Sequence, residues 1–249
     1  MKEKIRLSGV PETMLQTVYA RAKESRGRGA IHDAKAEEII EKLDYDFSLA
    51  DKDTAMRSGV IARTIVLDRM TKEWLASHPG AVVVNIACGL DTRCYRMSGY
   101  AHWYNLDLPE TMAVREKLLP ESGTISQITM SAMEDWGSEI SEQNVPVLIV
   151  IEGLTMYLSE RNIQRIFTVI SSRFSNATVF VETMNPYWAE KIPISLDIPT
   201  LLRMSQLDLA RTLTESIVKN GYFQDIATGR NAAFTTGRSS WGLLYLIFA

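Results

Sequence analysis

The residues best suited to bind a small molecule begin at the end of one apolar run. Residues 81–86 are rich in β-branched side chains, and three small residues, Ala87–Gly89, follow them. Small residues at that place let the backbone approach a ligand closely. Asp107 follows Gly89 by 18 residues, a spacing at which a carboxylate reaches the ribose hydroxyls of a nucleoside. Asp107 can also cap a helix that starts near Pro109, and the two roles are compatible.

The type of ligand follows from what this turn lacks. A dinucleotide site requires the pattern G-x-G-x-x-G, whereas this turn has no third glycine and carries Asp91, an acid that would repel a pyrophosphate. These residues favour a nucleoside ligand without phosphates and with a cationic end. S-adenosylmethionine, which carries a sulfonium, an ammonium and one carboxylate, is such a ligand. A nicotinamide-dependent oxidoreductase is the least supported alternative.

Two later predicted strands are followed by further candidate site residues. Ala132 and Met133 follow the run 125–130, and Glu152 comes directly after the run 146–151. In an open α/β sheet the ligand lies beyond the carboxyl ends of the strands, so these residues are expected at the same edge. The alternative for Glu152 is a helix cap or an ordinary salt bridge.

Alternating strands and helices are predicted from residue 81 onward to position these residues. Such alternation predicts βαβ units and a mostly parallel sheet. The predicted strands are 81–86, 102–107, 125–130, 146–151, 177–182, 222–227 and 241–248. The predicted helices between the first five strands are 91–97, 109–119, 134–142 and 159–173. The last two strands have no helical pattern between them, which indicates a hairpin.

The first part of the chain is predicted to be mainly helical. Apolar spacing and capping residues predict helices over 11–23, over 34–43 with Asp33 as the cap, and from Asp53 or Thr54 to about Leu75. The expected apolar face of the third helix comprises Ile61, Ile65, Leu67 and Met70.

Together these patterns predict a Rossmann-like α/β fold with a mostly parallel seven-stranded sheet and an antiparallel C-terminal hairpin. Residues 1–80 form an N-terminal helical region, and residues 81–249 form the α/β domain. Residues 183–220 interrupt the alternation and are predicted to form an inserted helical cap. A cap at that place would cover the carboxyl ends of the strands.

Composition excludes several classes of protein. The 249 residues are 46% apolar and 23% charged, with a net charge of −3, which disfavours a nucleic-acid-binding protein. No apolar run approaches the length of a membrane span, so a cytoplasmic protein is expected. The two cysteines, Cys88 and Cys94, cannot form a disulfide framework. The three histidines, His32, His78 and His102, lack metal-ligand spacing, so no metal site is predicted.

Several ordered motifs resemble the leucine carboxyl methyltransferase family, which includes bacterial polyketide O-methyltransferases of the tetracenomycin type. The resemblance covers roughly residues 12–185. It is carried by Arg63, the run Val84–Arg93, Tyr95-Arg96, Asn105–Pro109 and Glu152–Leu158. The sequence departs from the family at Ala87, where glycine is more usual, and in an acid displaced to Glu134-Asp135.

The resemblance implies a class I S-adenosylmethionine-dependent methyltransferase and a role in cofactor binding for seven residues. Arg63 would pair with the cofactor carboxylate, Ala87 and Gly89 would line the methionine part, Asp107 would bind the ribose, Ala132 and Met133 would border the adenine, and Glu152 would lie near the ammonium. Arg21 also matches a basic position in the first helix. The alternative for Arg63 is an ordinary surface charge.

The expected activity is O-methylation of a small molecule that offers a carboxylate or a hydroxyl. A carboxylate is ionised at neutral pH and needs no general base, whereas a phenol with a pKa near 10 does. Because no histidine follows a predicted strand, the sequence favours a carboxylate acceptor and names no catalytic residue. The alternatives are a protein C-terminal carboxyl methyltransferase and a non-catalytic cofactor-binding scaffold. Candidate residues on the acceptor side are Tyr157, Asn185, Tyr187 and Arg203.

Overall fold

The computed structural model describes residues 12–27, 29–174, 177–184 and 241–248. These residues fall into two compact units. One takes in the described residues up to Ala81 together with Cys88–Thr129, and the other takes in Val82–Ala87 and the described residues from Met130 onward. Among the helices in this part of the chain, none is long and apolar enough to cross a membrane.

Helices precede the strands and then alternate with them. The helices are α1 (Glu12–Arg26), α2 (Ala34–Lys42), α3 (Ser48–Lys52), α4 (Thr54–Ser77), α5 (Arg93–Arg96), α6 (Pro109–Leu118) and α7 (Glu160–Arg173). The strands are β1 (Ala81–Ile86), β2 (Tyr100–Asp107), β3 (Ile125–Thr129), β4 (Val147–Ile151), β5 (Ala177–Met184) and β6 (Trp241–Phe248). Two short 3-10 turns cover Trp136–Glu139 and Thr155–Tyr157.

The helix starts of the N-terminal region follow from local capping chemistry. The Asp33 carboxylate accepts a 3.0 Å hydrogen bond from the backbone N–H of Ala36 at the start of α2. Asp53 does the same for Met56 at the start of α4, with a 2.9 Å bond. Each carboxylate satisfies one of the N–H groups that a helix start leaves without a partner. Both predicted helix starts are therefore confirmed.

The apolar core of the first unit joins its N-terminal helices to the segment around the glycine turn. Leu90, which comes directly after Gly89, is buried in the same cluster as residues of α1, α2 and α6. The buried members are Met14, Leu15, Val18, Ala22, Ala36, Ile39, Leu43, Leu90, Val114, Leu118 and Leu119. Packing in this cluster thus fixes one side of the candidate site.

The face that α4 buries differs from the expected one. Ile65 is 41% exposed, whereas Val60, Thr64, Leu67 and Thr71 are buried. These buried residues recur at intervals of three to four, which is the helical period. The prediction that Ile65 shares the apolar face with Leu67 was wrong, because Leu67 packs together with Val60, Thr64 and Thr71 while Ile65 lies outside that stripe.

Each unit contains parallel strands. In the first unit β2 and β3 pair in parallel, with Asp107 opposite Thr129. In the second unit β1 pairs with β4 and β4 with β5, all in parallel, and β6 pairs antiparallel with β5. Strands β1 and β4 are buried along their whole length, as expected for strands covered on both faces.

The protein therefore has the expected α/β, Rossmann-like class of fold, with differences in detail. The described residues contain six of the seven expected strands, and β6 pairs antiparallel with β5. The predicted strand 222–227 lies outside these residues, as does nearly all of the predicted cap 183–220, of which only the first two residues are described, at the end of β5. The predicted helix 134–142 is wrong, because only a 3-10 turn forms there.

Candidate cofactor site

The turn after β1 is held in a conformation that favours glycine. Ala87 and Gly89 both have positive φ angles, of 54° and 47°. A Cβ on Gly89 would lie only 3.2 Å from Cγ of Met14 in α1. Within the turn, the backbone N–H of Asp91 donates to the carbonyl of Cys88 at 2.8 Å. Gly89 is therefore required by both backbone conformation and close approach.

Asp107 contacts this turn directly. The backbone N–H of Gly89 donates a 2.8 Å hydrogen bond to Oδ2 of Asp107, and the N–H of Leu108 donates to Oδ1 at 2.8 Å. The Asp107 carboxylate thus lies against the turn. It also accepts from Leu108, the first residue of the segment that leads into α6. The prediction that Asp107 caps α6 is wrong, because the N-cap residue is Leu108 and no side-chain cap bond forms there. The predicted ligand role remains compatible with this geometry, because a carboxylate has about four acceptor positions.

The environment of Asp107 disfavours its charge. Burial raises the pKa of the carboxyl above its ordinary value, although hydrogen bonds from the backbone of Gly89 and Leu108 and from the side chain of Thr111 partly oppose the shift. These three donors occupy three of about four acceptor positions. One position is left for a hydroxyl donor of a ligand.

Two buried arginines hold the carbonyl groups of the turn. Arg115 Nη1 donates to the carbonyl of Gly89 at 2.8 Å, and Arg21 Nη2 donates to the carbonyl of Leu90 at 2.8 Å. Both side chains are almost completely buried. Arg21 is thus directed at the backbone of the turn and at Asp33, 2.9 Å away.

An ion-pair network extends from Arg21 to the residues after the turn. Asp33 Oδ2 accepts from Arg21, from Arg96 at 3.3 Å and from the Thr92 hydroxyl at 2.6 Å. Burial alone would raise the pKa of Asp33, but Arg21 and Arg96, with hydrogen bonds from Thr92 and Ala36, lower it below its ordinary value. The Asp33 carboxylate, which caps α2, thereby also connects α1 to the residues that follow the turn after β1.

In the second unit, two of the predicted cofactor-binding residues lie at one edge of the sheet. Ile86 at the end of β1 lies in register with Ile151 at the end of β4. The next residues, Ala87 and Glu152, therefore leave neighbouring strands at the same edge, about 5 Å apart by strand spacing. The loop after Glu152 is fixed, because the N–H of Gly153 donates to Glu182 Oε2 at 2.8 Å.

Ala132 and Met133 lie in the segment that follows β3. The carbonyl of Ala132 accepts from the indole N–H of Trp136 at 3.1 Å, and the carbonyl of Met133 accepts from Arg165 Nε at 3.0 Å. Both residues are half-buried. Their carbonyls are held by these two side chains, and their role beside an adenine stays a prediction.

Arg63 lies in the middle of α4 and is half-buried, with its Nε atom buried. Its neighbours Val60, Thr64 and Leu67 are buried, so Arg63 lies beside the packed stripe of the helix. An ordinary surface charge does not fit this burial. Its pairing with a cofactor carboxylate stays a prediction.

The acceptor side is described only at Tyr157. This residue is 55% exposed, although its neighbours Thr155 and Met156 are buried. The Thr155 hydroxyl donates to the carbonyl of Glu182 at 2.8 Å, which fixes the 3-10 turn that carries the tyrosine. Asn185, Tyr187 and Arg203 lie outside the described residues.

Sequence reasoning missed Arg115 and its partner Glu121, which are both fully buried. A signal for Arg115 was present in α6. Its neighbours on the same helical face, Thr111, Met112 and Leu118, are apolar or small, so an arginine at that position interrupts a buried stripe. A charge placed there requires a buried partner. The partner itself could not be read from the pattern.

Chemically, the first unit offers a partly satisfied carboxylate beside a glycine backbone, and the second offers a carboxylate directly after a central strand. These groups suit a ribose hydroxyl and an ammonium, and no phosphate-binding pattern accompanies them. Among the residues that the structure describes, no group of three or more histidine, cysteine, aspartate or glutamate side chains is arranged to hold a metal ion.

Comparison with known proteins identifies the family. The family model described as leucine carboxyl methyltransferase matches residues 14–171. The tetracenomycin polyketide synthesis O-methyltransferase TcmP of Streptomyces glaucescens is 37% identical over 191 residues, which are 75% of this chain and 70% of TcmP. The S-adenosyl-L-methionine-dependent methyltransferase dpfgK of Gibberella zeae is 28% identical over 199 residues, which are 72% of this chain and 66% of dpfgK.

Among solved structures, the methyltransferase domain of bacterial CtHen1 has a TM-score of 0.49 and is 12% identical, with 74% of this chain and 97% of that chain covered. The family match spans the glycine turn, Asp107 and Glu152, and it agrees with the resemblance seen in the sequence. The chain belongs to the leucine carboxyl methyltransferase family.

Proposed function

We propose that this protein is an S-adenosylmethionine-dependent O-methyltransferase that methylates a carboxylate of a small molecule. The observation that carries the proposal is the hydrogen bond between Gly89 and Asp107, in a chain with one curated relative named as an O-methyltransferase and another named as an S-adenosyl-L-methionine-dependent methyltransferase. That bond joins the glycine turn to the one acidic side chain spaced to reach a ribose. The cofactor-binding set comprises Arg63, Ala87, Gly89, Asp107, Ala132, Met133 and Glu152.

The residues of the chain contribute binding and orientation. S-adenosylmethionine would supply an electrophilic methyl group to the acceptor oxygen, with S-adenosylhomocysteine as the leaving group. Asp107 would accept from a ribose hydroxyl, Glu152 would bind the ammonium, and the Arg63 guanidinium would pair with the carboxylate. Alignment of donor and acceptor supplies most of the rate, on the order of 7–11 kcal/mol of the barrier.

The choice of a carboxylate acceptor is supported by the placement of the histidines. His78 ends α4, where its ring stacks on Trp74. His102 lies near the start of β2, five residues before Asp107, which is about 16 Å along an extended strand. A carboxylate needs no base at neutral pH, whereas a phenol does.

Methyl transfer can be tested with methyl-labelled S-adenosylmethionine and a panel of aromatic carboxylic acids and phenols. A methyl ester releases labelled methanol in mild alkali, whereas a methyl ether does not. We expect alkali-labile label with the acids and none with their methyl-ester counterparts. Alkali-stable label on the phenols would contradict the carboxylate assignment but retain O-methylation.

Two further arms of this assay address the other candidate functions. A peptide ending in leucine is offered with a free carboxylate and, as a matched control, with a C-terminal amide. Labelling of the free acid alone would favour a protein carboxyl methyltransferase. Binding of S-adenosylhomocysteine without transfer to any acceptor would favour a cofactor-binding scaffold, and failure of the protein to bind either cofactor form at millimolar concentration would overturn the proposal.

A further inference from the structure

Arg115 is held in a fixed orientation behind the cofactor turn. Its Nη2 and Nε atoms donate to the Glu121 carboxylate at 2.5 and 3.3 Å, and its Nη1 atom donates to the carbonyl of Gly89 at 2.8 Å. Neither side chain of the pair is exposed. Because a guanidinium is planar, holding one edge of it on Glu121 fixes the direction of the remaining N–H groups.

Glu121 is in turn fixed by neighbouring strands. Its carboxylate accepts from Asn105 Nδ2 in β2 at 2.8 Å and from Gln127 Nε2 in β3 at 3.0 Å. With the two bonds from Arg115, these donors occupy all of the carboxylate's roughly four acceptor positions. The Arg115–Glu121 pair therefore joins α6 to β2 and β3. The Nη1 atom of Arg115, which does not contact Glu121, points at the carbonyl of Gly89.

The peptide groups on both sides of Gly89 are consequently restrained. Its N–H is bound by Asp107 and its carbonyl by Arg115. A glycine at positive φ has no side chain to restrict its rotation, so these two hydrogen bonds set the direction of the turn. Loss of the bond to Arg115 would leave the peptide group between Gly89 and Leu90 without this restraint, and the direction of the Gly89 N–H toward Asp107 would then be less well fixed.

We propose that Arg115 is a positioning residue for cofactor binding, acting through Gly89 and Asp107 without touching the cofactor. Glu121 orients Arg115 for this role. The inference deepens the proposed function, because it assigns to a residue behind the turn a share of the affinity for the nucleoside.

The test is the affinity of the full chain for S-adenosylhomocysteine, measured by calorimetry. Arg115→Lys keeps a positive charge beside Glu121, but an ammonium cannot hold Glu121 and the Gly89 carbonyl in one plane. We expect about tenfold weaker binding or more, as for loss of a hydrogen bond that involves a charged group. An unchanged affinity in folded Arg115→Lys would overturn the inference.

A control is available in Arg173, which like Arg115 donates to the backbone and which holds two carbonyl groups. Its Nε and Nη2 atoms donate to the carbonyls of Gly137 and Ile140 at 2.8 and 2.7 Å. Arg173→Lys is expected to leave the affinity for S-adenosylhomocysteine unchanged. Equal losses in the two lysine variants would show a general structural effect and would reject the role of Arg115.

Coupling to Asp107 separates positioning from simple stability. If Arg115 acts through Gly89 and Asp107, Arg115→Lys should weaken binding much less in an Asp107→Asn background than in the original chain. Additive losses would overturn the inference. Should Arg115→Lys fail to fold, Glu121→Gln replaces it in the same double-mutant cycle. We expect Glu121→Gln to weaken S-adenosylhomocysteine binding severalfold, and again much less in the Asp107→Asn background. Absence of binding by the unsubstituted protein would instead reject the proposed function.

Discussion

The backbone N–H of Gly89 donates a 2.8 Å hydrogen bond to Oδ2 of Asp107, 18 residues further along the chain. The bond places a carboxylate of β2 against a glycine whose φ angle is positive. Asp107, the residue predicted to bind the ribose, is thereby in direct contact with the glycine turn. This contact is the basis of the first prediction.

Asp107→Asn should weaken binding of S-adenosylhomocysteine by about ten- to hundredfold. The amide replaces one acceptor oxygen by a donor, which would face a backbone N–H or the ribose hydroxyl. Calorimetry at neutral pH measures the change. Asp46→Asn is the control, because the Asp46 carboxylate also accepts from a backbone N–H, that of Ser48 at 2.9 Å, in an exposed position. Comparable losses in the two variants would contradict a specific role for Asp107.

Gly89→Ala should destabilise the protein more than Gly123→Ala. Both glycines have positive φ angles, and an alanine there costs about 1–2 kcal/mol. Only at Gly89 does the new Cβ meet another group, Met14, whereas Gly123 has nothing within 4 Å. Urea unfolding compares the two free energies of unfolding. The Gly89 variant should also bind S-adenosylhomocysteine less tightly, and equal effects at both sites would contradict the importance of this close approach.

Ala87→Gly should raise the free energy of unfolding by up to about 1 kcal/mol. Ala87 has a φ of 54°, and glycine would remove about 1–2 kcal/mol of backbone strain. Greater freedom of the unfolded chain would take back about 0.4–1 kcal/mol. Ala76→Gly, at an exposed position in α4, should have the opposite sign, a loss of about 0.5–1 kcal/mol. Destabilisation by both glycines would show that Ala87 is not strained.

Asp33→Asn should remove a stabilisation that depends on pH. The pKa of Asp33 lies below its ordinary value of 3.8 because Arg21 and Arg96 outweigh the effect of burial. Its contribution is therefore complete above pH 3.8 and is lost as the pH falls through the lowered pKa. At pH 7 the variant should lose about 3–5 kcal/mol, since the buried Arg21 loses its carboxylate partner.

Urea unfolding between pH 7 and pH 3 measures this dependence. The difference between the original chain and Asp33→Asn should shrink toward the acid end of the range. Asp53→Asn, which alters the exposed cap of α4, should lower the free energy of unfolding by about 1 kcal/mol or less. A difference for Asp33→Asn that stays constant with pH would contradict the ion-pair assignment.

Arg63→Met should weaken S-adenosylhomocysteine much more than 5′-methylthioadenosine. Only the first ligand carries the carboxylate that Arg63 is proposed to bind, and the expected loss is about ten- to hundredfold. Arg69→Met, an exposed position of the same helix, is the control and should affect neither ligand. Equal weakening of both ligands would place Arg63 away from the carboxylate.

Local chemistry made much of the fold predictable. The bounds of β1 were predicted as residues 81–86, and the structure has Ala81–Ile86, because an apolar run closed by small residues is a local signal. Asp33 and Asp53 were likewise predictable as caps, because a cap bonds an N–H only three residues away.

Distant side chains decide the features that the sequence did not predict. Trp136 and Ile140 have helical spacing, but the carbonyls of Gly137 and Ile140 accept from Arg173, more than 30 residues away. The Gly137 carbonyl also accepts from the backbone N–H of Ile140, three residues further along, which is the 3-10 pattern of bonding rather than the α-helical one. The partners of Arg115 could not be predicted for the same reason.

The connection from Asp33 through Arg21 to the carbonyl of Leu90 has a consequence for local opening of the molecule. The first turn of α2 and the segment after β1 share one carboxylate, so separating either from α1 breaks both sets of bonds. Amide hydrogens of α1, of the start of α2 and of residues 89–92 should therefore exchange with deuterium as one cooperative group. Binding of a nucleoside at the turn should slow the exchange of this whole group, including the amide hydrogens at the start of α2.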